Sequence, residues 1–212
     1  MTAVAILGAG TFAVEVLEAI ELGGVYAPVG FVVSDPSLRD RREHCGLPVA
    51  VIDQLPWTPA DTLVVAGIVS TARRAFITAM ADRGFTFATV RHPSAIVSPR
   101  ATLDPGCFIG AGAILASNTR VGGHVVVNRG ANLGHDVTIH PFATIGPGAT
   151  IAGGVVVESG AYVGVGAVVR DHVTIGAGAL VAAGALVVKS VPAHCQVAGP
   201  PARVIKEGVD GL

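Results

Sequence analysis

From Val97 the chain places an aliphatic residue at every sixth position, Val97, Leu103, Ile109, Leu115 and onward to Val181 and Val187, 16 steps without a break. Four residues after each comes a second series, beginning Ala101, Cys107, Ala113 and Thr119 and ending at Val191, in which every member is small or β-branched. An amphipathic helix repeats every 3.6 residues and a half-buried strand every 2, so neither produces a period of six. A short strand that turns a corner and repeats three times per coil does produce it, with both series pointing inward. Six of the 16 aliphatic residues are followed directly by Gly, as in IGAG from Ile109 and VGVG from Val163, where a tight corner needs a permissive backbone. Hexads over 97–192 predict a little over five coils, stacked into a prism roughly 25 Å tall.

Residues 1–90 have a different character. The apolar run AVAILG, a predicted helix from Thr11 to Leu22, the strand-like VGFVVSD, a second run TLVVAGIV, a helical stretch from Thr71 to Arg83 and a last strand FATV read as a small α/β unit. This is half of a doubly wound sheet, too short for the usual dinucleotide crossing and sized for a mononucleotide or nucleotide sugar. The segment 91–96, within RHPSAIVSP, is expected to link the two domains, and 193–212 to close the chain. The fold class is therefore α/β plus all-β: a small Rossmann-like βαβαβ domain, then a parallel β-solenoid.

With 14 Lys+Arg against 15 Asp+Glu, no polyanion surface is expected and nucleic acid is excluded as a partner. Uncharged stretches such as Val137 to Val157 resemble membrane spans in hydropathy, but their regular Gly and Pro fit the repeat instead, and no membrane association is expected. Three cysteines, Cys45, Cys107 and Cys195, show no CxxC spacing. They indicate neither a disulfide framework nor a thiolate metal site, and with no leader in MTAVAILGAGTF they fit the cytoplasm.

His124, His135, His140 and His172 all fall outside the inner slots. His135 stands out by its setting, VVNRGANLGHDVTI, with Asn128 seven residues before it and Asp136 directly after. One coil is three hexads, or 18 residues, so Gly153 should lie almost directly above His135. A neutral imidazole can accept a proton from an amine or hydroxyl nucleophile, and a backbone N–H beside it can hold an oxyanion. That pair describes acyl transfer. Asp136 could orient the ring, provided that the two residues lie at a corner, because neighbours on a flat strand point to opposite faces.

The chain resembles the bacterial nucleotide-sugar N-acetyltransferases and their sialic acid O-acetyltransferase-like relatives, which are built on a left-handed parallel β-helix. The likeness rests on the order of parts: a small Rossmann-like domain, the HPSA segment, hexads containing N-x6-HD, and the closing GPPAR from Gly199 to Arg203. It implies a homotrimer with acetyl-CoA as co-substrate in the groove between prisms and no metal. It implies His135 as catalytic base, Asp136 as its tuning residue, Asn128 as a substrate-positioning neighbour and Gly153 as oxyanion donor. Val165 and Ala183 would line the cofactor groove, with Lys189 or Arg203 meeting the CoA phosphates.

Two departures bear on function. Where relatives carry a second histidine nine residues after the base, this chain has Thr144, expected to keep a hydrogen bond to the cofactor. The front motif GxGGHG is here GAGTFA from Gly8 to Ala13, and IGDN is AGIVS; nucleotide-sugar binding is assigned to Gly10, Thr11, Phe12 and Asp35, with a plain packing turn as the alternative. The predicted activity is acetyl transfer to a nucleotide-linked 4-amino-4,6-dideoxyhexose. Sugar O-acetylation and a non-catalytic trimeric scaffold are the alternatives. A zinc site like that of γ-class carbonic anhydrases fails by phase, since the position 36 residues before His135 is Pro99 and His172 lies 37 residues after.

Overall fold

A parallel strand that returns every 18 residues can pair with its own copy one coil away, and this register organises most of the chain. The structure, a computed structural model, describes residues 1–34, 42–71 and 73–212. Two-residue strands recur every six residues from Ile96–Val97 to Leu186–Val187. As far as Val168–Val169, each pairs in parallel with the strand 18 residues on, as Asn132 does with Thr150 and Leu133 with Ile151. Three sheets result, the faces of a β-solenoid. The first face contains Phe108–Ile109, Val126–Val127, Thr144–Ile145 and Tyr162–Val163. The second contains Ile114–Leu115, Asn132–Leu133, Thr150–Ile151 and Val168–Val169, and the third Thr102–Leu103, Arg120–Val121, Thr138–Ile139 and Val156–Val157.

Both predicted inward series form one continuous core, in which Ile109, Leu133, Ile145, Ala131 and Ala149 are 0% exposed. Each branched aliphatic side chain buried there stabilises the fold by about 1.5–3 kcal/mol relative to exposure. Thr119 occupies one of the small slots and donates its hydroxyl to the Gly134 carbonyl at 3.0 Å, so its polarity is satisfied. Cys107 fills another; burial pushes its thiol up to about 12, which makes it an inert packing residue.

The solenoid is longer at both ends than the 97–192 span expected. Val90–Arg91 already pairs with Phe108–Ile109, and Ala95 is buried in the core, so the predicted linker 91–96 is the first turn of the prism. At the other end Cys195–Ala198 pairs with Leu180–Val181 and folds back on Arg203–Glu207 in an antiparallel hairpin. No helix among the described residues is long and apolar enough to cross a membrane.

The front domain contains β1 (Thr2–Leu7), α1 (Thr11–Gly23), β2 (Tyr26–Val33), β3 (Glu43–His44), β4 (Leu47–Val51), β5 (Thr62–Ala66) and α2 (Arg73–Ala81). Its sheet order is β3-β4-β2-β1-β5, parallel except for the β3–β4 hairpin. Sequence patterning missed β3 and β4. The latter is five residues long and carries Pro48, which weakens a strand signal. The expected strand FATV contributes only a bridge from Phe87 to Val64, because Val90 is drawn into the solenoid.

This domain covers the first face. The outward side chains Phe108 and Val126 are 3% and 2% exposed, and the Phe12 ring packs edge-on against Phe108 at 5.3 Å. Arg73, 0% exposed, joins the two parts. Its guanidinium donates to the Val69 and Ser70 carbonyls on its own side, and to the Thr144 hydroxyl and the His124, Phe142 and Ala143 carbonyls of the solenoid, at 2.7–3.3 Å. No carboxylate is among these partners; the charge is held by oxygen dipoles alone. Burial pushes the group down to about 10, which leaves it protonated at neutral pH. Removing it strands several buried carbonyls, so Arg73→Ala should lower the unfolding free energy by about 3 kcal/mol or more, read as a lower urea midpoint. Arg73→Lys should recover only part of that, because three donors replace five.

Candidate active site

The corner between the second and third faces brings His135 and Asp136 to the surface after the strand Asn132–Leu133. Asp136 has a left-handed backbone with φ 57°, and this turn lets adjacent side chains converge where a flat strand would separate them. His135 Nδ1 and Asp136 Oδ2 are 2.8 Å apart. The second carboxylate oxygen accepts a hydrogen bond from Asn118 Nδ2 at 3.0 Å, one coil earlier on the same edge. That amide first, and His135 next, hold the Asp136 carboxyl below its ordinary range, with Arg120 adding to the pull. A carboxylate at Nδ1 places the proton on that nitrogen and leaves Nε2 as the acceptor.

Gly153 lies one coil above, as the register requires. A Cβ built on it would stand 2.7 Å from His135 Cε1 and 2.8 Å from Nε2, closer than side-chain carbons approach. The free ring nitrogen and the Gly153 backbone thus share one small space. The neighbouring Gly154 N–H is already used, donating to the His135 carbonyl at 3.0 Å.

Other predicted residues fall elsewhere. Asn128, Val165 and Ala183 stand on the opposite corner, between the first and second faces. Asn128 is 3% exposed and accepts a hydrogen bond from the Arg129 N–H at 2.8 Å, whereas Val165 is 51% exposed. Within one chain, the width of the second face separates them from His135. Lys189 and Arg203 come together on the wall of a 250 Å³ groove at the end of the solenoid.

Thr144 is corrected: it is 0% exposed, its hydroxyl accepts from Arg73 and donates to the Val69 carbonyl at 3.2 Å, and it serves the domain junction rather than a surface-bound cofactor. His140 lies on the corner between the third and first faces, 3.8 Å from Glu158, so it and His135 occupy different edges. No group of three metal-ligating side chains occurs among the described residues.

In the front domain, Gly10 caps α1 with no side-chain hydrogen bond, leaving Gly10 and Thr11 exposed at the helix start. That start lies at the end of β1, flanked by β2 on one side and β5 on the other, where a doubly wound sheet opens its crevice. Phe12 is half-buried against Phe108 and acts in packing. Asp35 lies outside the described residues. Sequence reasoning passed over Asn118, which the 18-residue coil would have placed beside Asp136. It also passed over Arg73 and the Arg129–Glu15 ion pair at 3.0 Å, for which the sequence carries no periodic signal.

A parallel solenoid with an oriented imidazole on one edge is a frame suited to acyl transfer. No protein-family model matches the chain, and a comparison with curated proteins finds no match. Solved structures do match. A histidine-to-asparagine variant of perosamine N-acetyltransferase from Caulobacter crescentus, in complex with CoA and GDP-perosamine, is 30% identical over 98% of both chains with a TM-score of 0.87. The acetyltransferase domain of PglB from Neisseria gonorrhoeae, with acetyl coenzyme A, is 29% identical over 96% of this chain and 98% of that one, also at 0.87. WeeI from Acinetobacter baumannii is 26% identical over 97% and 100%, at 0.86. The chain belongs to the hexapeptide-repeat nucleotide-sugar N-acetyltransferases, acyltransferases whose co-substrate is acetyl-CoA.

Because Gly153 does not need a positive φ, Gly153→Ala should fold with stability changed by about 0.5 kcal/mol or less, while the methyl displaces the His135 ring. Acetyl transfer, followed by thiol release, should fall roughly 10²-fold.

Proposed function

We propose that this protein transfers the acetyl group of acetyl-CoA to the amino group of a nucleotide-linked amino-deoxysugar of the 4-amino-4,6-dideoxyhexose type. The observation that carries this reading is the His135 imidazole, fixed by Asp136 through one nitrogen, with the other nitrogen beside Gly153. In the reaction, the amine attacks the thioester carbonyl carbon and gives a proton to His135 Nε2. The oxyanion is held by the Gly153 N–H, an interaction worth about 3 kcal/mol at such positions. Collapse breaks the C–S bond, and the CoA thiolate takes the proton back from the imidazolium. Asp136 stabilises the imidazolium between these steps; general-base help of this kind is worth roughly 10² to 10⁴ in rate. The relative that binds GDP-perosamine and CoA together supports an amine acceptor on a nucleotide carrier.

The front domain is read as a Rossmann-like nucleotide-binding unit, with the free N–H groups at Gly10 and Thr11 toward a phosphate and Asp35 toward the nucleoside. The solenoid is read as left-handed and the assembly as a homotrimer. Its second face carries Ile96, Ile114, Val168 and Leu186 at 63%, 39%, 43% and 37% exposed, apolar positions on either side of Asn132 and Thr150, and is flanked by the two functional edges. Three such faces around a common axis would set the Asn128, Val165 and Ala183 edge of one prism against the His135 edge of the next. Acetyl-CoA would lie in that groove, with Lys189 and Arg203 toward its phosphates. Free thiols, one of them exposed at Cys45, suit the cytoplasm.

His135→Ala should cost acetyl transfer about two orders of magnitude or more with folding and assembly size unchanged; full activity in that variant would support a scaffold instead. Thiol release measured across UDP-, dTDP- and GDP-linked amino sugars identifies the acceptor, and inactivity on every amine with activity on a hydroxyl sugar would reassign the enzyme to O-acetylation. Val168→Glu, by placing charge among the apolar positions of the second face, should shift the sedimentation coefficient from trimer to monomer.

A further inference from the structure

Two imidazoles reach the adjacent glycines Gly153 and Gly154. His172 follows the strand Val168–Val169 on the same corner as His135, between the second and third faces. His135 leans toward the later coil and meets Gly153, whereas His172, with a left-handed backbone at φ 53°, leans back toward the earlier coil and meets Gly154. A Cβ built on Gly154 would stand 2.5 Å from His172 Nδ1 and 2.7 Å from Cε1, so Nε2 is on the side of the ring turned away from that backbone. Backbone bonds tie the corner together, since the His172 N–H donates to the Gly153 carbonyl and the Gly154 N–H to the His135 carbonyl, both at 3.0 Å.

The His172 ring differs from the other imidazole that lies over a glycine. His124 covers Gly106 in the same way, but Phe87 and Phe142 enclose it and its ring is packing. His172 is exposed, and among the described residues its side chain has no hydrogen bond, ion pair or ring contact. The adjacent Asp171 carboxylate is engaged by Arg170 at 3.4 Å. An imidazole in either charge state carries an N–H, and here nothing in the chain uses it.

Order along the edge tells which reacting atom each ring meets. The amine loses its proton to His135, and the carbonyl oxygen turns to Gly153, one coil on. Lys189, proposed to meet the CoA phosphates, follows Leu186–Val187 on this same corner, beyond His172. The arm that joins those phosphates to the carbonyl therefore runs along the later coils, and its sulfur arrives on the His172 side of Gly153. A donor at that sulfur gains strength as negative charge develops there, which is the condition for raising kcat.

We propose that His172 donates a hydrogen bond to the thioester sulfur and stabilises it as the C–S bond breaks. This rests on the acetyl-transfer reading and the placement of acetyl-CoA above. The electron pair of the C–S bond goes to sulfur, His135 delivers to that sulfur the proton taken from the amine, and His172 keeps its own proton throughout. The full chain is tested as His172→Leu, which keeps an apolar group over Gly154, and as His172→Gln, which keeps an N–H. In the leucine variant kcat should fall about tenfold, with KM for acetyl-CoA and for the acceptor within about twofold, and glutamine should recover part of the loss. A second readout is the ultraviolet absorbance of the thiolate of bound CoA, titrated with pH against the desulfo-CoA complex as blank. That thiol should ionise about one pH unit lower in wild type than in the leucine variant, the same tenfold difference. Equal ionisation in the two proteins overturns the proposal, as does an unchanged kcat in the leucine variant. A loss of kcat that glutamine leaves unrepaired and that spares the thiol ionisation marks a packing role and also overturns it. If wild type acetylates no amino sugar, the acetyl-transfer reading fails; the CoA titration needs no acceptor and still decides on His172.

Discussion

Parallel hydrogen bonding between residues 18 apart is the constraint on which the rest of this molecule depends. A two-residue strand has almost no stability of its own; here it gains partners on both sides because the coil before and the coil after present the same backbone groups at the same height. The inward columns supply the hydrophobic term, and small residues such as Ala131, Ala149 and Ala167 leave room for the branched side chains beside them. Nothing in the interior is free to change size without disturbing the coils above and below.

The same register divides the surface into faces with separate duties. Outward residues Phe108, Val126 and Thr144 on the first face lie against the front domain; those on the second are apolar towards both ends, with Asn132 and Thr150 between; those on the third are Thr102, Arg120, Thr138, Val156 and Thr174. Corners gather side chains into clusters because only there can adjacent residues point the same way. Asp136 and Asn118 both take left-handed backbone angles, and the pair of side chains they present is what orients His135. Arg73 fixes the front domain against this frame through uncharged oxygens, which makes the junction insensitive to the ionisation of any carboxylate.

The solenoid was legible in the sequence because its period is enforced by burial: each of Leu133, Ile151 and Val169 meets the same steric demand. The height of Gly153 above His135 followed from that period. What the period does not encode is a contact made across domains. Arg73 looks like an ordinary helical cation until the solenoid is placed against it, and Thr144 looks like a surface hydroxyl until Arg73 covers it. The short strand β4 and the first turn of the prism were hidden for a different reason, since Pro48 and Pro93 interrupt apolar patterning in both. The helix start at Gly10 is the least legible feature of all, because its shape is one that any packing turn could share.

The 18-residue stacking has one more consequence. The buried columns are satisfied by any whole number of hexads, so six or twelve residues inserted between His135 and Gly153 would leave every inner slot filled. Such an insertion would nevertheless rotate all later coils by one or two faces and carry Gly153 to another corner. Length variation in this molecule is thus quantised twice, in sixes for the buried columns and in eighteens for the meeting of His135 with Gly153, and a chain that drifts by a single hexad keeps its shape while parting that pair.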